Sequence, residues 1–198
     1  MNEGYRNAVQ ETLPDAQVVV DRFHVAKHYR DCADKARKSE MKRLKKTLPE
    51  QEYAQLKGAM WAFRKPWTAL NESQQRVLLR LFQLAPILQE VYVQREVLTG
   101  IFESRIDKAQ AEIALTRWQE RITALGLTWF NAFATTLNNW RDNITNYFVL
   151  RKTSGFVEGL NNKIKVIKRR CYGIYNLGRL FQHIWLDVQG RRVLFAEH

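Results

Sequence analysis

One short run constrains the fold more than any other feature of these 198 residues: Gln17 to Val20 is the only stretch that reads as a β-strand. It is brief, apolar and β-branched, the pattern of a buried strand inside a parallel sheet rather than of an amphipathic edge. A lone strand cannot make a sheet, because its backbone N–H and C=O groups need partners along a ladder. The ordinary explanation is an all-helical chain in which the run is a buried loop.

Elsewhere the periodicity is helical. Asn2 to Thr12 places Tyr5, Ala8, Val9 and Leu13 on one side and ends at Pro14-Asp15. Helices are predicted over 25–46, 51–64 (ending near Pro66), 71–84 with Asn71 as N-cap, 87–103, 107–125 and 128–147. Val77, Leu78, Leu81, Phe82 and Leu84 form one apolar stripe, and Trp118, Ile122 and Leu125 another. Short joining loops predict antiparallel packing of neighbours. Trp61, Trp67, Trp118, Trp129 and Trp140 are expected in the core of this block, with stacking on unpaired bases as the alternative for one or two. A last amphipathic helix over 176–189 is expected to turn Leu177, Leu180, Phe181, Ile184, Trp185 and Val188 inward.

Charge selects the partner. Thirty-two Lys and Arg against twenty Asp and Glu leave a formal charge of +12, which favours a polyanion. No apolar run approaches the roughly 18–20 residues a membrane span needs, and MNEGYRNAVQ has no signal-peptide core, so a cytoplasmic protein without a membrane partner is expected. Cys32 and Cys171 are too few and too far apart for a disulfide scaffold and read as inert thiols. Residues 25–46 are increasingly basic, a solvated face or a DNA-backbone contact. There is no Gly-rich phosphate loop and no nucleophile in a recognisable setting, so no small-molecule substrate is expected. His24 and His28, one turn apart, lack the acids or cysteines a zinc site would need, and His183 reads as structural.

The stretch from Thr153 to Tyr175, TSGFVEGLNNKIKVIKRRCYGIY, carries the candidate chemistry. Thr153 or Ser154 suits an N-cap and Gly173 a C-terminal stop. Val157, Leu160, Ile164, Ile167 and Cys171 stack on one face, while Glu158, Asn162, Lys165 and Arg169 recur on the other. At 100° per residue the two stripes lie about 155° apart. Lys163, Lys165, Lys168, Arg169 and Arg170 put five cations in eight residues, with Glu158 the only acid. Such a helix repels itself unless it meets an anion, and phosphate backbone is the obvious one. Asn161 and Asn162 are poor mid-helix residues, which suggests that their amide groups are used.

The string GFVEGLNNKIKVIKRRCYGIYN, preceded far upstream by VVVDRFHVAKHY, resembles the C-terminal part of bacterial insertion-sequence transposases of the DDE class, in the ISL-three family. The resemblance covers nearly the whole chain. It implies an RNase H-like α/β core, retaining here one short strand, interrupted by an all-α insertion and therefore mainly α. It divides the chain into a partial core over 1–29 (helix, last core strand, start of a helix), an all-helical insertion over 30–150, and the catalytic-Glu helix and C-terminal helix over 151–198. It implies metal-dependent DNA cleavage and strand transfer in DNA transposition, with transposon ends and target DNA as partners and a homo-oligomer left open. Glu158 corresponds to the third acid of the triad, with Mg²⁺ or Mn²⁺ as the metal of the intact enzyme.

Asp21 and His24 follow the strand directly. Either Asp21 is the second triad acid and a metal ligand, or Asp21 and His24 form a D-x-x-H signature after the last core strand; room for an earlier acid favours the second. The family's first aspartates precede the region seen here, so the chain is expected to begin inside the core and to lack at least one catalytic acid. Asn161, Asn162, Lys163, Lys165, Lys168, Arg169 and Arg170 would hold DNA. The rival expectation is a catalytically inactive basic helical remnant that binds DNA or pairs with an intact transposase.

Overall fold

A computed structural model describes residues 3–151, 153, 155–170 and 176–194. It divides into two compact units, Met1–Lys152 and Thr153–His198. In chain order the first holds α1 (Glu3–Thr12), α2 (Arg22–Thr47), α3 (Glu50–Ala54), α4 (Ala59–Arg64), α5 (Glu72–Leu84), α6 (Pro86–Glu103), α7 (Lys108–Ala124), α8 (Asn131–Asn139), α9 (Arg141–Thr145) and α10 (Tyr147–Leu150). The second holds α11 (Gly155–Arg170) and α12 (Leu177–Leu194). The fold is mainly α, and the described residues contain no strand.

The predicted strand over Gln17–Val20 is therefore corrected. The run is extended but has no ladder partner. Its polar groups are met by the turns around α9: the Val20 N–H donates to the Asn143 carbonyl at 2.8 Å, and the Val18 carbonyl accepts from Asn146 Nδ2 at 3.0 Å. Asn146 is itself 4% exposed, and its Oδ1 accepts from Lys108 Nζ at 2.8 Å. Val20 is buried while Val19 faces outward. Helical residues thus supply what a neighbouring strand would have supplied. Asn146→Ala is expected to cost about 1–2 kcal/mol by stranding buried polar groups. Denaturant melts and faster hydrogen exchange at the Val20 amide check it.

Central in the first unit is α2, which has no Gly or Pro to interrupt it. Asp21 caps its start, its side chain accepting from the Phe23 N–H at 2.7 Å, and the helix ends at Leu48, which is extended before Pro49. The α6 helix packs on α2, α5 and α7. Both α5 and α7 begin with a reciprocal capping box, Asn71 with Gln74 and Asp107 with Gln110. Two predicted helices are broken. Residues 51–64 split into α3 and α4 because Gly58 takes a left-handed φ of 89°. Residues 128–147 become a 3₁₀ turn (Thr128–Phe130), α8, α9 and the start of α10; Trp140, with φ −119°, separates α8 from α9.

Buried arginine fixes the end of α4. Arg95, 4% exposed, lies 4.4 Å over the Tyr92 ring and donates to the Phe63 and Lys65 carbonyls, which α4 leaves without helical partners. Trp118 and Trp140 are buried as expected, whereas Trp61 and Trp67 are exposed and do not belong to the core. Cys32 is a buried free thiol, and burial pushes its pKa up; Cys171 lies outside the described residues.

Asp34 ties α2 to α4. It accepts from Arg37 Nε at 2.8 Å and from Arg64 Nη2 at 2.8 Å. Burial pushes its carboxyl up, but the hydrogen bonds from Arg64 and Arg37 outweigh burial and hold it well below the usual carboxylate range. A depressed folded-state pKa means the stabilisation is complete above the unfolded value of about 4 and fades as pH falls below it. Asp34→Ala is expected to cost about 2 kcal/mol at pH 7, leaving the buried Arg37 unpaired, with the gap to wild type narrowing below about pH 4. Chemical denaturation of both proteins across pH 3–7 measures it.

Candidate nucleic-acid interface

The second unit is a helix pair. On α11, Ile167 is buried and Leu160 and Ile164 are half-buried; on α12, which packs against it, Leu180 is buried and Ile184 half-buried. The apolar stripe predicted for α11 is thus seen at Leu160, Ile164 and Ile167; the side chain of Val157 and all of Cys171 lie outside the described residues, as do Ser154 and Gly173. For α12 the prediction is corrected. Leu177, Phe181 and Trp185 are exposed rather than inward, together with Leu186, because one packed helix covers only a narrow stripe of its partner. The side chain of Val188 lies outside the described residues, and His183 is exposed.

Outside its apolar stripe α11 presents Asn161, Asn162, Lys165, Lys168, Arg169 and Arg170 to solvent, with Asn162, Lys165 and Arg169 directly opposite it. Lys168, Arg169 and Arg170 occupy the last turn, where the helix dipole favours cations. Lys163 is different. Its Nζ donates to the Asp187 carbonyl at 2.6 Å and lies 3.2 Å from Asp187 Oδ2, so it fastens α11 to α12 and would have to give up that pair to meet DNA. Glu158 lies in α11 one turn before Asn162; its side chain is outside the described residues.

Asp21 and His24 belong to the first unit. Asp21 is 8% exposed, with Oδ1 engaged in capping α2, and His24 is exposed one turn along that helix. No group of three or more His, Cys, Asp or Glu placed to hold a metal ion occurs among the described residues. A divalent-metal pair takes several carboxylates, so those residues do not make such a site by themselves. No helix among them is long and apolar enough to cross a membrane. His28, outside any such cluster, meets the edge of the Phe133 ring at 5.5 Å, and burial lowers its pKa.

The basic run over 25–46 divides its cations by what they meet in the fold. Arg37 and Lys38 pair with Asp34 and Arg43 with Glu40, while Lys27, Lys35, Lys42, Lys45 and Lys46 are exposed with no ion-pair partner among the described residues. The separation depends on which residues face the core, and the alanines Ala33 and Ala36 on the buried side were its one visible signal.

A family model described as a transposase, of the DDE class and ISL-three type, matches residues 1–184. The transposase for insertion sequence element IS1001 of Bordetella parapertussis is 33% identical over 175 residues, 87% of this chain and 42% of that protein. The chain thus spans less than half the length of the curated relative it matches. No solved structure matches.

Proposed function

The chain belongs to the ISL-three family of insertion-sequence transposases, and from that premise we propose that it supplies the part of a DDE transposase that carries the third acidic residue, Glu158, and grips DNA beside it. One observation carries the reading. The outward face of α11 gathers two carboxamides and four cations that are exposed to solvent, on the same helix as Glu158. Phosphate contacts from Lys165, Lys168, Arg169 and Arg170 hold a strand by charge, and Asn161 and Asn162 add hydrogen bonds that fix its position. A carboxylate standing one helical turn from Asn162 is then close to the phosphodiester those groups hold.

In this reading the chain follows the family's plan. Residues 1–29 and 151–198 belong to an RNase H-like core, and residues 30–150 form its all-α insertion. Glu158 would be one of the carboxylates that hold a divalent metal, Mg²⁺ or Mn²⁺, with further acids beyond those described, and the metal would supply activation of water or a 3′-hydroxyl for in-line attack on phosphorus. Asp21 serves as the second acid or, with its capping role, as the D of the D-x-x-H signature with His24.

The test is strand cleavage and transfer on a supercoiled plasmid carrying the element's ends, using a longer family member with Glu158 intact or changed to Gln. Metal-dependent nicking that vanishes with the change supports the reading. Salt-sensitive DNA binding with no metal-dependent nicking by either protein favours the rival, a DNA-binding chain without catalysis.

A further inference from the structure

The first unit carries a second concentration of positive charge, on an element that the reading of α11 does not use. Ten of the 26 residues of α2 are Lys or Arg and three are Asp or Glu, so this helix holds seven of the chain's formal +12. The structure divides these cations by role. Arg37 is buried against Asp34, and Arg43 donates to Glu40 at 2.8 Å and to the Leu84 carbonyl at 3.3 Å. Lys27, Lys35, Lys42 and Lys45 are exposed and make no hydrogen bond or ion pair among the described residues. Arg37 and Arg43 are taken up within the fold, and these four lysines are left outward.

The outward lysines form a stripe. At 100° per residue Lys27, Lys35, Lys38, Lys42 and Lys45 fall within an arc of about 80°, opposite the buried Val25, Tyr29 and Ala36. Asp31 is the one acid inside that arc. From Lys27 to Lys45 the stripe runs about 27 Å, the length of roughly eight base pairs of duplex. Burial of the helix's apolar face in the core leaves nothing for a lipid surface to take up, and an interfacial membrane helix needs that face. Between Lys27 and Lys45 no aromatic or carboxamide side chain lies in the arc, and only His24 precedes it there, so the stripe has the chemistry to meet phosphates and not to read base edges.

We infer that the lysine stripe of α2 is a sequence-independent docking surface for the phosphate backbone of duplex DNA, separate from the α11 face. It goes beyond the reading of Glu158 and does not depend on it.

The experiment measures binding of the whole chain to a 30-base-pair duplex of arbitrary sequence by fluorescence anisotropy over a series of salt concentrations. The comparison is a quadruple variant, Lys27→Ala with Lys35→Ala, Lys42→Ala and Lys45→Ala. Each phosphate contact contributes about 0.9 to the slope of log K against log salt, so loss of four is expected to lower the slope by about 3.6 and the affinity near 0.1 M salt by about 100-fold or more. The matching set of four Lys→Arg changes should keep both, which separates lost charge from lost structure. A quadruple alanine variant with wild-type circular dichroism and a wild-type slope overturns the inference. So does absence of DNA binding by the unaltered chain, or loss of binding to anionic vesicles with duplex affinity unchanged. Failure of the Glu158 reading is seen in cleavage alone and leaves this result standing.

Discussion

Changing Glu158 to Gln in a longer family member is expected to lower DNA cleavage by on the order of 10³-fold, about 4 kcal/mol in barrier, while DNA affinity stays within about twofold. Gln keeps the shape and much of the hydrogen-bonding capacity of Glu but removes the charge that holds a divalent ion. Helix propensity hardly changes, so α11 should persist. The groups proposed to hold DNA are separate from the altered one: Lys165, Lys168, Arg169 and Arg170 are exposed on later turns of the helix. Removing an acid beside those cations takes away a small repulsion toward phosphate, so any change in affinity should be a slight gain. Nicking of a supercoiled substrate in Mg²⁺ or Mn²⁺, with band-shift titration of the same proteins, reads both quantities. Retained cleavage would remove Glu158 from the triad. Cleavage and binding lost together would show that the substitution had damaged α11.

The separation of roles within α11 was legible because it is local. A helix sorts its residues by a fixed angle, so the spacing of Leu160, Ile164 and Ile167 was enough to say which side packs and which side meets solvent. The starts of α5 and α7 were legible for the same reason: a capping box is written within four residues, as in Asn71 with Gln74. What escaped were partners distant in sequence. Nothing near Lys163 announces Asp187, 24 residues on, and that pair fastens α11 to α12 at a residue expected from the sequence to meet DNA. Val18 to Val20 has strand composition, but its backbone is met by Asn143 and Asn146, more than 120 residues away. The exposed Leu177, Phe181 and Trp185 teach the same point. Apolar spacing identifies a face able to be buried, and only the presence of a covering element decides whether it is.

Trp118→Ala is expected to cost the first unit about 4 kcal/mol, the largest loss of stability from any single change proposed for it. Trp118 is 2% exposed and joins three parts of the core. Its Nε1 donates to the Gln94 carbonyl of α6 at 3.0 Å, and its ring meets Phe130 at 5.4 Å and Phe133 at 5.6 Å, both edge-on. Phe133 in turn meets Tyr29 of α2 edge-on at 5.7 Å, so the cavity left by Trp118 loosens the support of the helix that bears the lysine stripe. For a domain of this size a 4 kcal/mol loss lowers the melting temperature by about 8–16 °C, a large share of the 5–15 kcal/mol that holds most domains folded. Trp118→Phe, which refills most of the cavity and loses the indole hydrogen bond, should cost about 1–2 kcal/mol. Trp61→Ala provides the contrast: Trp61 is 61% exposed, and its loss should move stability by less than about 0.5 kcal/mol. Thermal and denaturant melts of the three variants rank them. A shift under about 3 °C for Trp118→Ala would mean that α6, α7 and α8 do not depend on this ring for their packing.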